Sequence, residues 1–190
     1  MTSGPPPAPP FSFTSDDSVS AFNIPVKTYL SAHEEYDAVA TGALVFNGEN
    51  KLLLIQRAGH DSMPNRWEIP GGGCDLDDDS VLHGLAREVW EESGLVVSAV
   101  NRIVDGGQVF FSRRGLRICK FTFEADVEST EQVKLDPNEH QNHLWVTEED
   151  CRNHKVDRDG IVTEIQLTTP DQERIILEGL RLRQAAGTQS

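Results

Sequence analysis

The amino-acid sequence predicts an α/β fold, because runs with β propensity alternate with segments of helical periodicity. The β-prone runs are residues 38–46, 51–57, 96–103, 108–112 and 117–127. Residues 81–93 repeat apolar side chains with the period of an amphipathic helix. A chain of 190 residues can bury a sufficient core without disulfides or a structural metal. We therefore expect one domain over residues 21–186, with short tails at 1–20 and 187–190.

Composition limits the kinds of partner that the chain can bind. The net charge of −14 disfavours a surface for nucleic-acid polymers or anionic membranes, which requires clustered Lys and Arg, but it is compatible with a small anionic substrate. No apolar run reaches the roughly 20 residues of a membrane span. The N-terminus lacks the basic and apolar segments of a secretory signal.

Cys74, Cys119 and Cys151 have no CxxC spacing, which indicates reduced thiols and a cytoplasmic location, with the nucleus as the alternative.

The chain before residue 81 is expected to combine a disordered tail, a mixed segment and a pair of strands. Residues 1–20 are rich in Pro, Ser and Asp and lack periodicity, so we expect a disordered tail, with a docking peptide as the alternative. Residues 26–30 are expected to form a short edge strand. Asn47-Gly48, between two β-prone runs, predicts a hairpin.

The helix predicted over residues 81–93 has an apolar face that anchors it to the core. Its apolar stripe follows the i, i+3, i+4, i+7 pattern and consists of Leu82, Leu85, Ala86 and Val89. Asp79 or Ser80 is expected as N-cap. Gly94 suits the left-handed residue that often ends a helix.

A second face of this helix carries three carboxylates. Glu88, Glu91 and Glu92 lie at i, i+3 and i+4, where like charges repel by about 0.2–0.5 kcal/mol in an isolated helix. A hard divalent cation with oxygen ligands, Mg²⁺ first, would compensate this repulsion. The glycines of residues 70–73 leave no side chains between a ligand and the backbone, so this loop can approach a phosphate or a metal closely.

The segment Gly73–Leu95 resembles the signature box of the Nudix hydrolases. The family pattern is Gly-x5-Glu-x7-Arg-Glu-U-x-Glu-Glu-x-Gly-U, in which U is a bulky aliphatic residue. This sequence departs from it at Asp79, which keeps the charge of the usual Glu but is one methylene shorter. The third glycine after Pro70 is a second, smaller departure. The resemblance implies an α/β/α sandwich with a mixed central sheet.

The resemblance also implies hydrolysis of a diphosphate linkage, typically in a nucleoside diphosphate joined to another group. Glu88, Glu91 and Glu92 are then expected to bind Mg²⁺ or Mn²⁺, with the Gly73 carbonyl as a further ligand. Arg87, four residues before Glu91, is expected to hold one carboxylate in place.

Further site residues lie outside the box. Glu139 resembles a family glutamate that serves as a fourth metal ligand or as the base that deprotonates water. His140 is a weaker candidate for proton transfer or substrate contact. The predicted substrate-binding set is Arg57, Arg66, Arg113, Arg114, Gly72 and Gly73. For Arg57 a structural salt bridge is the alternative, and for Arg113 and Arg114 it is a solvated hairpin tip.

The tryptophans and the C-terminal segment are expected to be structural. Trp67 and Trp90 favour core packing over stacking on a nucleobase. A short helix is expected to start near Thr147, and a longer amphipathic helix near Pro170.

Other functions remain open on this scaffold. A non-catalytic diphosphate-binding module is one, although such relatives tend to lose the glutamates. A prenyl diphosphate isomerase is another, with Cys74 as its candidate cysteine. Inositol pyrophosphate or prenyl diphosphate could also replace a nucleotide as the substrate of the same hydrolysis, but the acidic balance disfavours the former and no apolar run favours the latter. A homodimer is a further option, because dimers are common in the family.

Overall fold

The computed structural model describes residues 9–187, in which two β-sheets and a hairpin combine with four α-helices. The strands are β1 (Thr14–Ser15), β2 (Ala38–Val45), β3 (Leu52–Arg57), β4 (Trp67–Glu68), β5 (Val97–Ile103), β6 (Gln108–Phe111), β7 (Arg117–Val127), β8 (His140–Val146), β9 (Lys155–Arg158) and β10 (Ile161–Glu164). The helices are α1 (Val26–Ala32), α2 (Val81–Ser93), α3 (Glu148–Asn153) and α4 (Pro170–Gly187), and a 3-10 helix spans Asp17–Phe22. None of these helices has the length and apolar content needed to cross a bilayer.

The larger sheet mixes parallel and antiparallel pairs. Its order is β1-β5-β7-β2, with β6 also paired to β7. β1 is parallel to β5 and β2 is parallel to β7, whereas β5 and β6 run antiparallel to β7. The second sheet, β4-β3-β8, is antiparallel, and β9 and β10 form a separate hairpin. The α/β class with a mixed sheet is therefore confirmed.

Successive residues of β2 and β3 alternate between two cores. Val45 and Leu53 belong to the core that contains the apolar stripe of α2. Leu44 and Leu54 belong to the core that contains Ile176 of α4. Because neighbouring strand residues point to opposite faces, the β layer has helices on both sides, as in a sandwich.

Helix α2 has the bounds that the sequence predicts. The Ser80 hydroxyl accepts a hydrogen bond from the His83 backbone N–H at 3.1 Å, so Ser80, not Asp79, is the N-cap. Gly94 has a φ of 69° and ends the helix in the left-handed conformation. The apolar stripe is fully buried.

The expectation of a disordered tail over residues 1–20 is wrong for the part that the structure describes. Strand β1 pairs with β5, and Val19 of the 3-10 helix is completely buried. The ring of Phe11 lies edge-on to Trp90, with 6.4 Å between the ring centroids. Isolated apolar side chains in a polar segment are thus sufficient to hold it against the domain. Residues 1–8 and 188–190 lie outside the described residues, and a single domain over 21–186 stays a prediction.

Two local predictions before the box are also wrong. Residues 26–30 lie in helix α1, not in an edge strand. Asn47-Gly48 does form a turn, in which the Asn47 side chain accepts from the backbone N–H of Lys51 at 3.0 Å. The strands on either side then separate, since β2 pairs with β7 and β3 pairs with β8. The hairpin is reduced to one bridge between Phe46 and Leu52.

Candidate active site

The glycine-rich loop after β4 is fixed along the outer edge of β2. The backbone N–H of Thr41 donates to the Gly72 carbonyl at 2.8 Å, and that of Ala43 donates to the Pro70 carbonyl at 2.8 Å. These bonds continue the ladder of the larger sheet into the loop. The loop is therefore a rigid part of the site.

Glycine is required at two of the three loop positions. Gly71 has a φ of 143°, and a side chain there would collide with the backbone carbonyl of Thr41. A side chain at Gly72 would collide with the carboxylate of Glu88. Around Gly73, no atom of the described residues lies within 4 Å of a Cβ position. Crowding therefore does not explain why residue 73 is a glycine.

Arg87 fixes several site groups with one guanidinium. Its Nη1 donates to Glu88 at 2.6 Å and to Glu91 at 3.0 Å, while its Nη2 donates to the Gly73 carbonyl at 2.9 Å. Its Nε donates to Asp78 at 3.0 Å. Arg87 thus contacts the carboxylate expected from the sequence, and the planar fork also holds three further acceptors. In Glu88 and Glu91 the second carboxylate oxygen makes no bond to Arg87.

Glu92 lies deepest in the site. It is 7% exposed, and its Oε2 accepts a hydrogen bond from the Gly71 backbone N–H at 2.6 Å. Potential ligand atoms of Glu92, Glu139 and His140 all lie within 4.8 Å of one another. The loop glutamate chosen from the sequence is therefore close to the helix glutamate.

The three helix glutamates themselves are not gathered around one point. Glu91 is exposed and is turned toward Arg87, whereas Glu92 is buried against Gly71. Residues at i+3 and i+4 differ by about 100° around the helix, and Gly71 can contact only one of them. A role for Glu91 as a metal ligand stays a prediction.

Arg57 is paired with carboxylates. Its Nη1 donates to Glu68 and its Nη2 donates to Asp61, both at 2.6 Å. Arg57 was predicted either to bind substrate or to form a structural salt bridge, and the structure shows the salt bridge. Glu68 also lies 3.1 Å from Nε2 of His140, a side chain that is 2% exposed. Nδ1 of His140 has no hydrogen-bond partner among the described residues.

The site carries more negative charge than its own cations neutralise. Burial raises the pKa of Glu92 well above its ordinary value, and repulsion from Glu68, Glu88 and Glu139 adds to the effect, although the Gly71 hydrogen bond opposes it. Burial also raises the pKa of Glu88. Carboxylate oxygens of Glu88, Glu92 and Glu139 under such repulsion fit Mg²⁺ or Mn²⁺, and a nitrogen of His140 lies beside them.

The other predicted basic residues lie apart from this network. Arg66 donates to the Leu167 carbonyl at 3.3 Å and lines a cleft at the start of α4. Arg113 and Arg114 are exposed in the turn between β6 and β7, and neither forms an ion pair with a residue in 9–187. Their geometry matches the solvated hairpin tip.

Three site residues were not predicted from the sequence. No sequence motif marks Glu68. Its role depends on contacts with Arg57 and His140, which are distant in sequence. Asp78, not the box residue Asp79, binds Arg87. Lys120 of β7 lies within the electrostatic field of Glu68, Glu92 and Glu88. It had a usable signal, since it is a charged residue within a strand whose alternate positions are apolar. Trp67 is buried in the core, as expected.

Relatives with known names share parts of this chain. A MutT-like protein of Streptomyces ambofaciens is 40% identical over 60 residues, which cover 32% of this chain and 36% of that protein. The 8-oxo-dGDP phosphatase NUDT18 of Danio rerio is 30% identical over 95 residues, which cover 46% of this chain and 29% of that protein. The chain thus spans about a third of the length of these relatives.

Solved structures show the same architecture over most of the chain. The MutT protein of Methanosarcina mazei Go1 matches with a TM-score of 0.57 and 26% identity, over 77% of this chain and 94% of that one. A C. elegans Ap4A hydrolase matches with a TM-score of 0.54 and 19% identity, over 78% of this chain and 98% of that one, which supports the fold alone. The family model of the NUDIX domain matches residues 37–164, more than half of the sequence. The chain belongs to the NUDIX family.

Proposed function

We propose that this protein is a Mg²⁺- or Mn²⁺-dependent hydrolase that cleaves the diphosphate linkage of a nucleoside diphosphate joined to another group. The observation that carries the proposal is the buried Glu92 beside Glu139 and His140, held by the glycine loop of a NUDIX domain. The likeness to NUDT18 of Danio rerio, an 8-oxo-dGDP phosphatase, supports a nucleotide substrate.

Each residue of the site has a distinct task in this proposal. A bound divalent cation would neutralise the diphosphate and lower the pKa of the attacking water. Glu88 and Glu92 would hold that cation through carboxylate oxygens, while Arg87 keeps Glu88 and Glu91 oriented. Glu139 is exposed and close to Glu92, so it is the candidate base that accepts the proton of the water.

The site does not favour a thiol-dependent isomerase. Burial raises the pKa of Cys74 to about 12, so the reactive thiolate is scarce near neutral pH. Its Sγ instead lies 3.8 Å from the Val81 carbonyl. Cys74 therefore fits a packing role beside the loop.

A release assay across diphosphate substrates tests the proposed function. Purified protein with Mg²⁺, Mn²⁺ or EDTA would receive ADP-ribose, NADH, dinucleoside polyphosphates, oxidised nucleoside triphosphates, inositol pyrophosphates and prenyl diphosphates. We expect metal-dependent turnover of at least one nucleotide, reduced about 10²–10³-fold in Glu92→Gln. Glu178→Gln is the matched control, because among residues 9–187 Glu178 forms its one ion pair with Arg181, on the solvent side of α4. Turnover restricted to non-nucleotides would overturn the nucleotide class, and no turnover in the whole panel would favour the binding module.

We further propose a cytoplasmic location and small-molecule diphosphates as the partners, with a homodimer as the assembly to be tested. The free thiols of Cys74, Cys119 and Cys151 support a reducing compartment. Cell fractionation measures the location, and sedimentation of the purified protein measures the assembly.

A further inference from the structure

One face of the β6–β7 hairpin carries polar and apolar side chains that the core does not use. On β7, Cys119 and Phe121 point into the core that contains α2. The alternate residues Ile118 and Lys120 therefore point to the opposite face. In the antiparallel register Gln108 lies opposite Lys120, and Phe110 lies opposite Ile118. These four residues form one surface, which we call the β6–β7 face.

Lys120 connects this face to the carboxylates of the candidate active site. Its Cε lies 3.1 Å from the Cβ position of Gly42, so the absence of a side chain on Gly42 leaves room for the lysine. Burial lowers the pKa of Lys120, and the carboxylates of Glu68, Glu92 and Glu88 oppose that effect. The ammonium group is thus within the field of these carboxylates.

The ammonium group of Lys120 is not paired with another side chain of the described residues. Within residues 9–187, the ammonium group of Lys120 forms no salt bridge and no hydrogen bond. Arg57 and Arg87, by contrast, each hold at least two carboxylates. An ammonium group without a partner beside a cation site is suited to an anion that arrives together with the cation, such as a phosphate.

The other residues of the β6–β7 face have groups that a ligand could contact, namely the Gln108 amide and the Phe110 ring. Nε2 of Gln108 is buried and has no hydrogen-bond partner among the described residues. A buried amide without a partner costs about 1–3 kcal/mol, which a ligand that accepts its hydrogen bond would recover. Phe110 is 43% exposed next to the half-buried Ile118. The face thus offers an exposed aromatic ring, beside an amide that would reach a ligand once the Gln108 side chain turns outward.

We propose that the β6–β7 face binds the nucleoside part of the substrate, with Lys120 on the adjacent phosphate and Phe110 stacked on the base. This inference rests on the proposed function and names the subsite that would select its substrate. The residue positions of diagonal neighbours across two strands are about 7–8 Å apart, and the Lys120 side chain extends farther, toward Gly42 on the opposite edge of β7 from β6. A nucleotide with its phosphate at Lys120 would therefore extend back across β7 to place its base on Phe110. A prenyl chain would bury more apolar surface than Phe110 and Ile118 supply, and it would leave the Gln108 amide without a partner.

Equilibrium binding with non-hydrolysable ligands tests the subsite separately from catalysis. The probes are α,β-methylene-ADP, its guanine counterpart, and methylenediphosphonate, which has the phosphorus groups but no base. Phe110→Ala is expected to weaken the better nucleotide probe about tenfold, a typical loss for a stacked base, and to leave methylenediphosphonate unchanged. Phe111→Ala is the matched control, because Phe111 is 69% exposed on the opposite face of the same strand.

The lysine has its own pair of variants. Lys120→Met keeps an unbranched apolar stem and is expected to weaken the nucleotide and the diphosphonate alike, by about tenfold or more, because a charge-assisted phosphate contact is lost. Lys120→Arg should recover part of the affinity. Lys155→Met, on the exposed part of β9, is the control for removal of a positive charge.

Each outcome of these measurements supports or overturns the subsite. If wild-type protein hydrolyses nucleotides but Phe110→Ala and Lys120→Met bind all three probes as wild type does, the subsite is wrong and the proposed function stands. If wild-type protein hydrolyses no nucleotide, the proposed function fails first. If a prenyl diphosphonate binds and neither nucleotide probe does, the nucleoside assignment is overturned.

Discussion

Replacement of Glu92 by Gln tests two effects of this buried carboxylate, its contribution to catalysis and its cost to folding stability. The amide keeps an oxygen that can accept the Gly71 hydrogen bond of 2.6 Å, so the loop geometry should survive. The charge, however, is removed from a site whose function depends on attracting a cation. We expect kcat to fall about 10²–10³-fold, equivalent to about 2.7–4 kcal/mol of transition-state stabilisation.

The same substitution should stabilise the metal-free protein. The folded-state pKa of Glu92 lies well above the ordinary value of 4.5, because the site buries the charge among other carboxylates. The folded state therefore binds this proton more tightly than the unfolded state. The stability that this proton confers is complete below about pH 4.5 and is lost as the pH rises toward the raised pKa. The neutral amide of Glu92→Gln has no proton to lose. The stability advantage of this variant over wild type should therefore appear above pH 4.5 and grow as the pH rises toward the raised pKa of Glu92.

Thermal unfolding with and without Mg²⁺ measures both effects in one assay. At a free Mg²⁺ concentration of about 100 times Kd, wild type should gain about 2.7 kcal/mol. For a domain of this size that corresponds to a rise in Tm of about 5–11 °C. Glu92→Gln should show a higher Tm than wild type in EDTA at pH 8 and little response to Mg²⁺, whereas Glu178→Gln should behave as wild type. A Glu92→Gln protein that is less stable than wild type at pH 8, or that keeps the full Mg²⁺ response, would refute the reasoning.

The remaining predictions concern the supports of the site. Arg87→Lys keeps the charge but loses the fork, so kcat should fall at least about tenfold and stability by about 1–3 kcal/mol, measured by release kinetics and by urea unfolding; equal activity of both proteins would contradict this role. Val19→Ala should cost about 1–3 kcal/mol in urea unfolding if the N-terminal segment is part of the domain, whereas a change below about 0.5 kcal/mol would mean that it is not. Gly73→Ala should keep activity within about twofold, since a Cβ there has free space, while Gly71→Ala should lose both stability and activity because of its φ of 143°; similar behaviour of the two glycine variants would contradict the steric argument.

Local features of the sequence were sufficient to predict the helix of the site. Periodicity gives the buried stripe of α2, and residues that stop or cap helices give its ends. The expectations for Ser80 and Gly94 depend only on nearby backbone groups, so they did not require knowledge of the fold. The proximity of Glu139 to Glu92 came from the family resemblance, since their separation in sequence gives no local signal.

Features that depend on strand pairing could not be predicted in this way. The Asn47-Gly48 signal is local and correctly marks a turn, but the partners of β2 and β3 are β7 and β8, far away in the chain. The contacts of Glu68 with Arg57 and His140 depend on the same pairing, because β3, β4 and β8 belong to one sheet. The N-terminal segment was misassigned for a related reason. Its composition is polar on average, whereas residues 9–20 are held by a few contacts, such as the Phe11 ring against Trp90 of α2 and the pairing of β1 with β5.

The charge pairing of the site explains why a cation and Lys120 would both be needed for an anionic substrate. Arg57 and Arg87 neutralise carboxylates of the protein itself, so neither offers its full charge to a diphosphate. Glu68, Glu88, Glu92 and Glu139 would repel that diphosphate at short range. A divalent ion held by the glutamates would reverse the sign of the local field, and Lys120 would add positive charge on the side of the β6–β7 face. Substrate affinity should therefore depend steeply on the divalent cation in wild type, and a Lys120→Met protein should require the cation even for weak binding.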